Sequence, residues 1–389
     1  MQQITRCDCD MIYVIACALH SQKPDKEKMK ADDWKALYKN AAKHSLTSMV
    51  YMALETAGVL EGEEQAWIRQ WKDEKDKAIR KNLLFDTERK QILALMEEAG
   101  IWYMPLKGSI LKDYYPKYGM RQMSDNDILY DARYAKELRD LMKKRGYKVE
   151  VFGRSNQDVY MKPPIYNFEM HNALFHKSER NKYWLSYYGE IKEKLLPDEG
   201  RKYGYHFCDE DFYIYMMAHA YKHFSGGGTG LRTLVDLYVF LQKKEDALDW
   251  AYVRKELQKL GMLDFEKMCC DIAKKIFSPD MPANMQTLTD EEKTKLGMFL
   301  YAGTYGTVEQ YTKNALRQLQ PGEEPVTGKV KIRYCLSRIF PGREWCRMNL
   351  PFFDRHPYLI PALWIFRIFR AIFCNRTRIK AEMETVRKS

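Results

Sequence analysis

The stretch that decides the fold is YMPLKGSILKDYYPKYGMRQMSDNDILY, residues 103–130. A short apolar run at 103–106 leads into Lys-Gly-Ser at 107–109 and then into a segment with helical spacing. The stretch ends in Asp-Asn-Asp at 125–127, which leads into a second apolar run at 128–130. This order predicts a strand, a tight turn, a helix, a loop and a second strand.

Two carboxylates of this stretch are predicted to share one face. Side chains alternate along a strand, so Asp125 and Asp127 point to the same side. Two carboxylates on one face repel each other unless a cation lies between them. Oxygen ligands of this kind suit Mg²⁺. We therefore expect a magnesium ion at the start of the second strand.

The stretch resembles the nucleotidyltransferase superfamily that includes DNA polymerase beta, in which a Gly-Ser or Gly-Gly turn precedes an Asp-x-Asp strand. It is more closely similar to a bacterial family of uncharacterised nucleotidyltransferases of the KG…R…DxDL type. The matching residues are Lys107, Gly108, Ser109, Tyr115, Pro116, Arg121, Asp125, Asp127 and Leu129. The resemblance implies an α+β fold, with a small mixed β-sheet core and helices, flanked by N-terminal and C-terminal helical regions.

A third carboxylate lies on a later predicted strand. Residues 165–176 alternate, with Phe168 and Met170 on one side and Glu169 and His171 on the other. The resembled superfamily takes a third carboxylate from a neighbouring strand, and the resembled family has an acidic residue two positions before a histidine here. The alternative is that Glu169 is a solvated residue on an edge strand.

The resemblance implies that Asp125, Asp127 and Glu169 are the catalytic residues and the ligands of two Mg²⁺ ions. Such ions stabilise the attacking and leaving oxygens of nucleotidyl transfer. The implied substrate is an NTP, with ATP favoured. The implied nucleotide-binding residues are Lys107, Gly108, Ser109, Arg121, His219, Lys222, His223, Arg232 and Asp236.

These nucleotide-binding residues have different expected roles. The Ser109 hydroxyl and the backbone amides after Gly108 would bind phosphates at a helix N-terminus. Lys107 and Arg121 are candidates for neutralising phosphate charge, and the alternative is that both are surface residues.

A glycine-rich segment at 225–230 separates two predicted helices, 212–223 and 231–241. It either cradles a phosphate or is a flexible connection between the helices. His219 and His223 share a helix face, as zinc ligands do, but no Glu stands beside His219 and no third ligand is evident. We therefore expect both to line the cleft as polar residues.

Helical spacing extends on both sides of the core. It predicts helices within residues 8–97, a long charged helix at 72–99, and further helices in 245–320. The predicted domains are an N-terminal helical region at 1–100, a catalytic core at 101–178, a helical domain at 179–320 and a basic, Pro/aromatic-rich region at 321–389.

Composition restricts the compartment and the partners. Nine cysteines without metal-ligand spacing predict a reduced cytoplasmic protein. We find no signal-peptide pattern and no uncharged apolar window of about 18 residues. The net charge is +11, and residues 328–389, with 14 Lys/Arg and 4 Asp/Glu, carry +10 of it. A basic tail on a nearly neutral body places a nucleic-acid partner last among the alternatives.

The C-terminal segment at 363–380, LWIFRIFRAIFCNRTRIK, is amphipathic and basic. Its apolar stripe is formed by Trp364, Ile365, Ile368, Phe369 and Ile372, and its charge is supplied by Arg367, Arg370, Arg376, Arg378 and Lys380. Three partners stay open for residues 345–389. The segment docks on its own core with the arginines outward, on an anionic membrane surface as a peripheral protein, or on an acidic partner.

The resemblance, with the three carboxylates in place, implies an Mg²⁺-dependent nucleotidyltransferase of the EC 2.7.7 type. It would transfer NMP from an NTP to a small molecule, a sugar or a protein and release pyrophosphate. The alternative is a non-catalytic NTP-binding regulatory or antitoxin-like protein of the same fold. The presence of all three carboxylates favours the enzyme.

Overall fold

The computed structural model describes residues 4–29, 33–60, 66–176, 182–321, 324–373 and 376–389. The chain divides into two compact units. The first unit comprises Met1–Tyr221 and Gly230–Leu300, and the second comprises Lys222–Thr229 and Tyr301–Ser389. The predicted domain boundaries after residues 100, 178 and 320 stay a prediction.

Helices precede the sheet, as the apolar spacing predicts. They are α1 (Arg6–Leu19), α2 (Trp34–Lys43), α3 (Thr47–Thr56) and α4 (Ala66–Glu98). The start of α1 is fixed by a capping box between Thr5 and Asp8. The long α4 ends just before Gly100, whose φ of +69° favours glycine at a helix C-terminus.

In the described part of the chain, five strands form one mixed sheet in the order β1-β2-β5-β4-β3. They are β1 (Tyr103–Pro105), β2 (Asn126–Tyr130), β3 (Lys148–Val151), β4 (Gln157–Lys162) and β5 (Tyr166–His171). β2 and β5 are parallel, and the other neighbouring pairs are antiparallel. The predicted α+β fold with a small mixed sheet is therefore confirmed.

One face of the sheet is apolar and buried. Ile128 of β2 and both Phe168 and Met170 of β5 pack there with Leu138 of α6 (Ala135–Lys144) and Ile92 of α4. Because side chains alternate along a strand, the residues between these apolar ones point to the opposite face. The predicted alternation of β5 is confirmed, although the strand ends at His171 and not at residue 176.

The connection between β1 and β2 is only partly helical. It contains α5 (Gly108–Leu111) and a 3₁₀ turn at Lys112–Tyr114, and it then runs irregularly to β2. The predicted strand, turn, helix and strand are thus present, with a helix shorter than expected.

Helices dominate the rest of the chain. The first unit continues with α7 (Lys182–Tyr187), a small hairpin of β6 (Leu196–Pro197) and β7 (Tyr205–His206), α8 (Asp209–Ser225), α9 (Leu231–Lys244), α10 (Trp250–Lys259), α11 (Leu263–Phe277), α12 (Met281–Gln286) and α13 (Asp290–Ala302). The boundary between the units falls within α8 and near the end of α13.

The second unit has its own small core. Its helices are α14 (Val308–Leu319), α15 (Gly328–Ile339), α16 (Arg343–Asn349), α17 (Pro351–Arg355), α18 (Ile360–Phe373) and α19 (Arg376–Lys388). Leu316, Tyr334 and Val386 from three of these helices are buried together.

Two composition-based expectations concern the whole chain. The described cysteines are free thiols, and Cys374 lies outside the described residues. A search of the described helices finds none that is long and apolar enough to cross a membrane.

Candidate active site

Three side chains converge where the parallel strands β2 and β5 meet. The carboxylates of Asp127 and Glu169 and the imidazole of His171 offer ligand atoms that all lie within 4.8 Å of one another. The strand register places Asp127 beside Glu169, and alternation brings His171 to the same face. The described residues contain no other such cluster. The two carboxylates could hold a metal ion, and carboxylate oxygens are ligands that suit Mg²⁺.

Asp127 is held by two groups at one oxygen. Its Oδ1 accepts a hydrogen bond from Lys107 Nζ at 2.7 Å and shares another with His171 Nε2 at 2.8 Å. Burial acts against ionisation, but the charge of Lys107 and the hydrogen bond from His171 hold the pKa of Asp127 well below its ordinary value. Asp127 is therefore a carboxylate at neutral pH. His171 is hydrogen-bonded to Asp127 and so orients that carboxylate.

Glu169 has the opposite electrostatic character. Burial, and then the charges of Asp127 and Asp125, raise the pKa of Glu169 to about 7. Gln157 of the neighbouring strand β4 donates a hydrogen bond to Glu169 Oε2 at 2.7 Å. The alternative of a solvated residue on an edge strand is wrong, because β5 lies inside the sheet and the Glu169 side chain is 21% exposed.

Asp125 directly precedes β2 and is partly buried. Burial, and then the charge of Asp127, raise the pKa of Asp125, while Lys107 and Arg232 act in the opposite direction. Asp125 is not part of the 4.8 Å cluster. It is nevertheless near enough to both carboxylates for charge effects: Asp127 raises the pKa of Asp125, and Asp125 raises the pKa of Glu169.

Lys107 occupies the tight turn between β1 and α5. Its backbone has φ +51° and ψ −117°, a conformation that residues other than glycine rarely adopt. The turn directs its ammonium group onto Asp127, and this carboxylate raises the pKa of Lys107 against the effect of burial. The alternative of a surface lysine is therefore wrong.

Gly108 and Ser109 are explained by contacts within the chain. A Cβ on Gly108 would lie 2.3 Å from Nη1 of Arg121, so the glycine lets this guanidinium approach the turn. The Ser109 hydroxyl donates to the carbonyl oxygen of Leu106 at 2.7 Å and is buried. A phosphate contact from either residue stays a prediction.

Arg121 and Asp236 bind each other. Arg121 Nε and Nη2 donate to the two carboxylate oxygens of Asp236 at 2.8 and 2.9 Å, and the Tyr115 hydroxyl donates to Asp236 Oδ1 at 2.6 Å. Arg121 is buried, so the alternative of a surface arginine is also wrong. The pair fastens the connection between α5 and β2 to helix α9.

Arg232 lies one turn before Asp236 on α9. Burial, and then the charge of Arg121, lower the pKa of Arg232. Its Nη1 donates to the carbonyl oxygen of Gln122 at 3.4 Å, and no described carboxylate lies within ion-pair distance of it. Since its charge also acts on Asp125, Arg232 is a cation that a phosphate group could use.

The remaining predicted nucleotide-binding residues are divided between the two units. His219 belongs to the first unit, whereas Lys222 and His223 belong to the second with the glycine-rich segment. In that segment the carbonyl oxygen of Gly227 accepts from the amide of Thr307 at 2.8 Å, and a Cβ on Gly228 would lie 2.7 Å from Ala302. Close packing explains these glycines, which favours a connection over a phosphate cradle.

No sequence pattern indicates two residues that lie near the carboxylates. Gln157 contacts Glu169 across neighbouring strands, and no local pattern marks it. Tyr215 on α8 is buried, and its hydroxyl has no hydrogen-bond partner among the described residues. Burial raises the pKa of Tyr215, which also feels the charges of Lys107 and Asp127. Its surrounding sequence, FYIYMMA, resembles an ordinary core helix, so no sequence signal indicates this position.

Comparison with known proteins identifies a family for this chain. A family model described as uncharacterised nucleotidyltransferase matches residues 30–278, more than half of the chain. The matched range contains Asp125, Asp127, Glu169 and His171. No curated protein and no solved structure matches the chain. The chain therefore belongs to the family of uncharacterised nucleotidyltransferases.

Proposed function

We propose that the chain is an Mg²⁺-dependent enzyme that transfers NMP from an NTP to an acceptor and releases pyrophosphate. The observation that carries this proposal is the cluster of Asp127 and Glu169 at the parallel strand pair, with Asp125 beside it. Family membership supports nucleotidyl transfer in general. The metal, the choice of ATP and the release of pyrophosphate are parts of the proposal.

Asp125, Asp127 and Glu169 would together hold two Mg²⁺ ions. When bound, such ions stabilise the charge on the attacking and leaving oxygens. His171 keeps the Asp127 carboxylate in place, and Gln157 does the same for Glu169.

The nucleotide would be held by basic side chains whose charge acts on the carboxylates. We assign Arg232 to the phosphates, because it is a partly buried cation without a carboxylate within ion-pair distance among the described residues. Arg121 and Asp236 would act indirectly, by fixing the connection that carries Asp125. Lys107, Gly108, Ser109, His219, Lys222 and His223 stay candidates for the nucleotide. The acceptor is a small molecule, a sugar or a protein.

Pyrophosphate release tests this proposal. The protein is incubated with each of the four NTPs and Mg²⁺, and mass spectrometry of candidate acceptors identifies the added nucleotide. We expect the double variant Asp125→Ala/Asp127→Ala to abolish both signals, whereas Asp113→Asn, which changes a largely exposed carboxylate, should retain them. Activity in the double variant would refute the assignment of these carboxylates.

A non-catalytic NTP-binding protein is the second candidate. The Lys107–Asp127 ion pair favours it, because the ammonium already neutralises a carboxylate that a metal ion would need. In that case Mg²⁺ and NTP would raise the melting temperature without any pyrophosphate release. Turnover with any acceptor would exclude this candidate.

A further inference from the structure

The described side chains of helix α18 that contact its own unit lie on one side of the helix. Leu363 is buried, and Trp364 Nε1 donates to the carbonyl oxygen of Pro341 at 3.3 Å. Arg367 Nη2 donates to the carbonyl oxygen of Arg338 at 2.9 Å, and its guanidinium lies 4.4 Å from the ring centre of Trp345. Arg367 thus contacts its own unit, which differs from the self-docking alternative, in which the arginines point outward. The side chains of Arg370 and Ile372 lie outside the described residues.

The opposite side of α18 is apolar and exposed. Ile365, Phe366, Phe369 and Phe373 are between 58% and 67% exposed. At about 100° per residue, these four positions fall within an arc of about 100°. The rings of Phe369 and Phe373 stack with their centres 6.4 Å apart. A contiguous exposed aromatic face of this kind marks an interaction surface.

Basic residues follow this face directly. Arg376, Arg378 and Lys380 begin helix α19, are exposed, and have no acidic residue with them in the first turn. Positive charge at a helix N-terminus opposes the helix dipole, so these residues do not serve helix stability. They also belong to the region, residues 328–389, that carries +10 of the net charge. The surface therefore complements a partner that is both anionic and apolar.

We propose that α18 lies flat on an anionic membrane surface. Its four apolar side chains would enter the boundary between headgroups and acyl chains, and the basic start of α19 would contact anionic headgroups. The helix has 14 residues, too few to cross a bilayer, where about 20 are needed. A nucleic acid offers the charge but no apolar phase for four such side chains. This proposal does not depend on the nucleotidyl-transfer activity.

Co-sedimentation of the full chain with vesicles tests the proposal. We expect binding to vesicles of phosphatidylcholine with about 30% phosphatidylserine, and weaker binding to pure phosphatidylcholine or in about 0.5 M NaCl. Phe366→Ser/Phe369→Ser/Phe373→Ser should weaken binding at least about tenfold. The matched control Leu83→Ser/Tyr305→Ser removes exposed apolar side chains elsewhere and should bind like the wild type. Wild-type protein that ignores the vesicles, or a triple variant that binds equally well, would overturn the proposal.

Hydrogen exchange of the wild-type chain gives a second measurement that needs no variant. Vesicles should slow exchange of the amides in 360–373 and leave the strands of the first unit unchanged. Protection confined to other segments would overturn the proposal. A wild-type dimer that the triple variant makes monomeric, with no vesicle protection, would show that a second copy covers this face. Vesicle-independent capture of an acidic protein by α18 would equally contradict the membrane assignment.

Discussion

The Oδ1 atom of Asp127 is hydrogen-bonded to both Lys107 Nζ and His171 Nε2. A buried carboxylate needs such compensation, because removing it from water costs several kcal/mol. The proposed Mg²⁺ ion would supply positive charge at the same place, so Lys107 and the metal would compete for Asp127. The strained turn at Lys107 shows that the chain accepts a local cost to place this ammonium.

The first prediction concerns that competition. Lys107→Met should lower the free energy of unfolding without metal by about 3 kcal/mol, because Asp127 is left buried without its main counter-charge. Mg²⁺ should recover more stability in the variant than in the wild type. Urea denaturation with and without Mg²⁺ measures both effects, and Lys117→Met, at an exposed lysine, is the control. Equal stability of the two metal-free proteins would contradict the prediction.

Glu169 gives a prediction about pH. Because its pKa is raised to about 7, it holds a proton below neutral pH and must release it to bind a metal ion. Mg²⁺ affinity should therefore fall as pH is lowered through 7, by up to about tenfold per pH unit. Without metal, the contribution of Glu169 to stability changes with pH in the opposite direction. Its pKa is 4.5 in the unfolded chain and about 7 in the native state, so between these values the native state binds more protons and the free energy of unfolding falls as pH rises.

Titration calorimetry in two buffers of different ionisation enthalpy measures the proton that Mg²⁺ releases. Glu169→Gln should bind Mg²⁺ more weakly and lose most of the pH dependence between 6 and 8, since no proton is left to displace. An unchanged pH dependence in Glu169→Gln would assign the titration to another group.

At the scale of elements, the pairing of β2 with β5 builds the carboxylate cluster, and α9 fixes the connection that leads into β2. The ion pair between Arg121 and Asp236 joins residues that are 115 positions apart in the chain. Such a buried pair adds little net stability when compared with a well-packed apolar pair. Removing only one of the two side chains is costly, because the other charge is then left buried without its partner.

A double-mutant cycle tests the ion pair between Arg121 and Asp236. Asp236→Asn and Arg121→Met should each lower the free energy of unfolding by about 3 kcal/mol, and the double variant should lose much less than the sum. Urea denaturation of the four proteins gives the coupling energy. As a control, Asp246→Asn changes an acidic residue in the turn after α9 and should have little effect. Additive losses would mean that the two side chains do not interact in solution.

At the scale of the molecule, two units each have a core of their own. The carboxylate cluster lies wholly in the first unit, and the α18 face lies wholly in the second. The proposed metal site and the proposed membrane-docking face therefore lie in different units, and each proposal is tested separately.

Differential scanning calorimetry tests this separation. We expect two transitions. Mg²⁺ should raise the transition temperature of the first unit only, because binding adds about 2.7 kcal/mol to its free energy of unfolding at a metal concentration of 100 times Kd. In Asp127→Asn the metal-induced shift should disappear, while the second transition stays in place. A single transition that moves as a whole with Mg²⁺ would show that the units unfold together.

Local sequence determined which face each strand residue occupies. Alternation places Glu169 and His171 opposite Phe168 and Met170, and the Lys-Gly-Ser turn before Asp-x-Asp determines the order of β1, α5 and β2. These features depend on backbone periodicity and turn chemistry, which act over a few residues. Together with the family resemblance, they predicted the α+β fold and indicated the carboxylates.

Tertiary structure alone decided which side chains from distant segments contact the site residues. Lys107 on Asp127, Asp236 on Arg121 and Gln157 on Glu169 are contacts between segments that the sequence does not pair. The partner of α18 stayed open for the same reason, since an amphipathic pattern does not specify which side of a helix contacts a neighbour. Periodicity acts within one element, whereas long-range contacts depend on how all elements pack around shared cores.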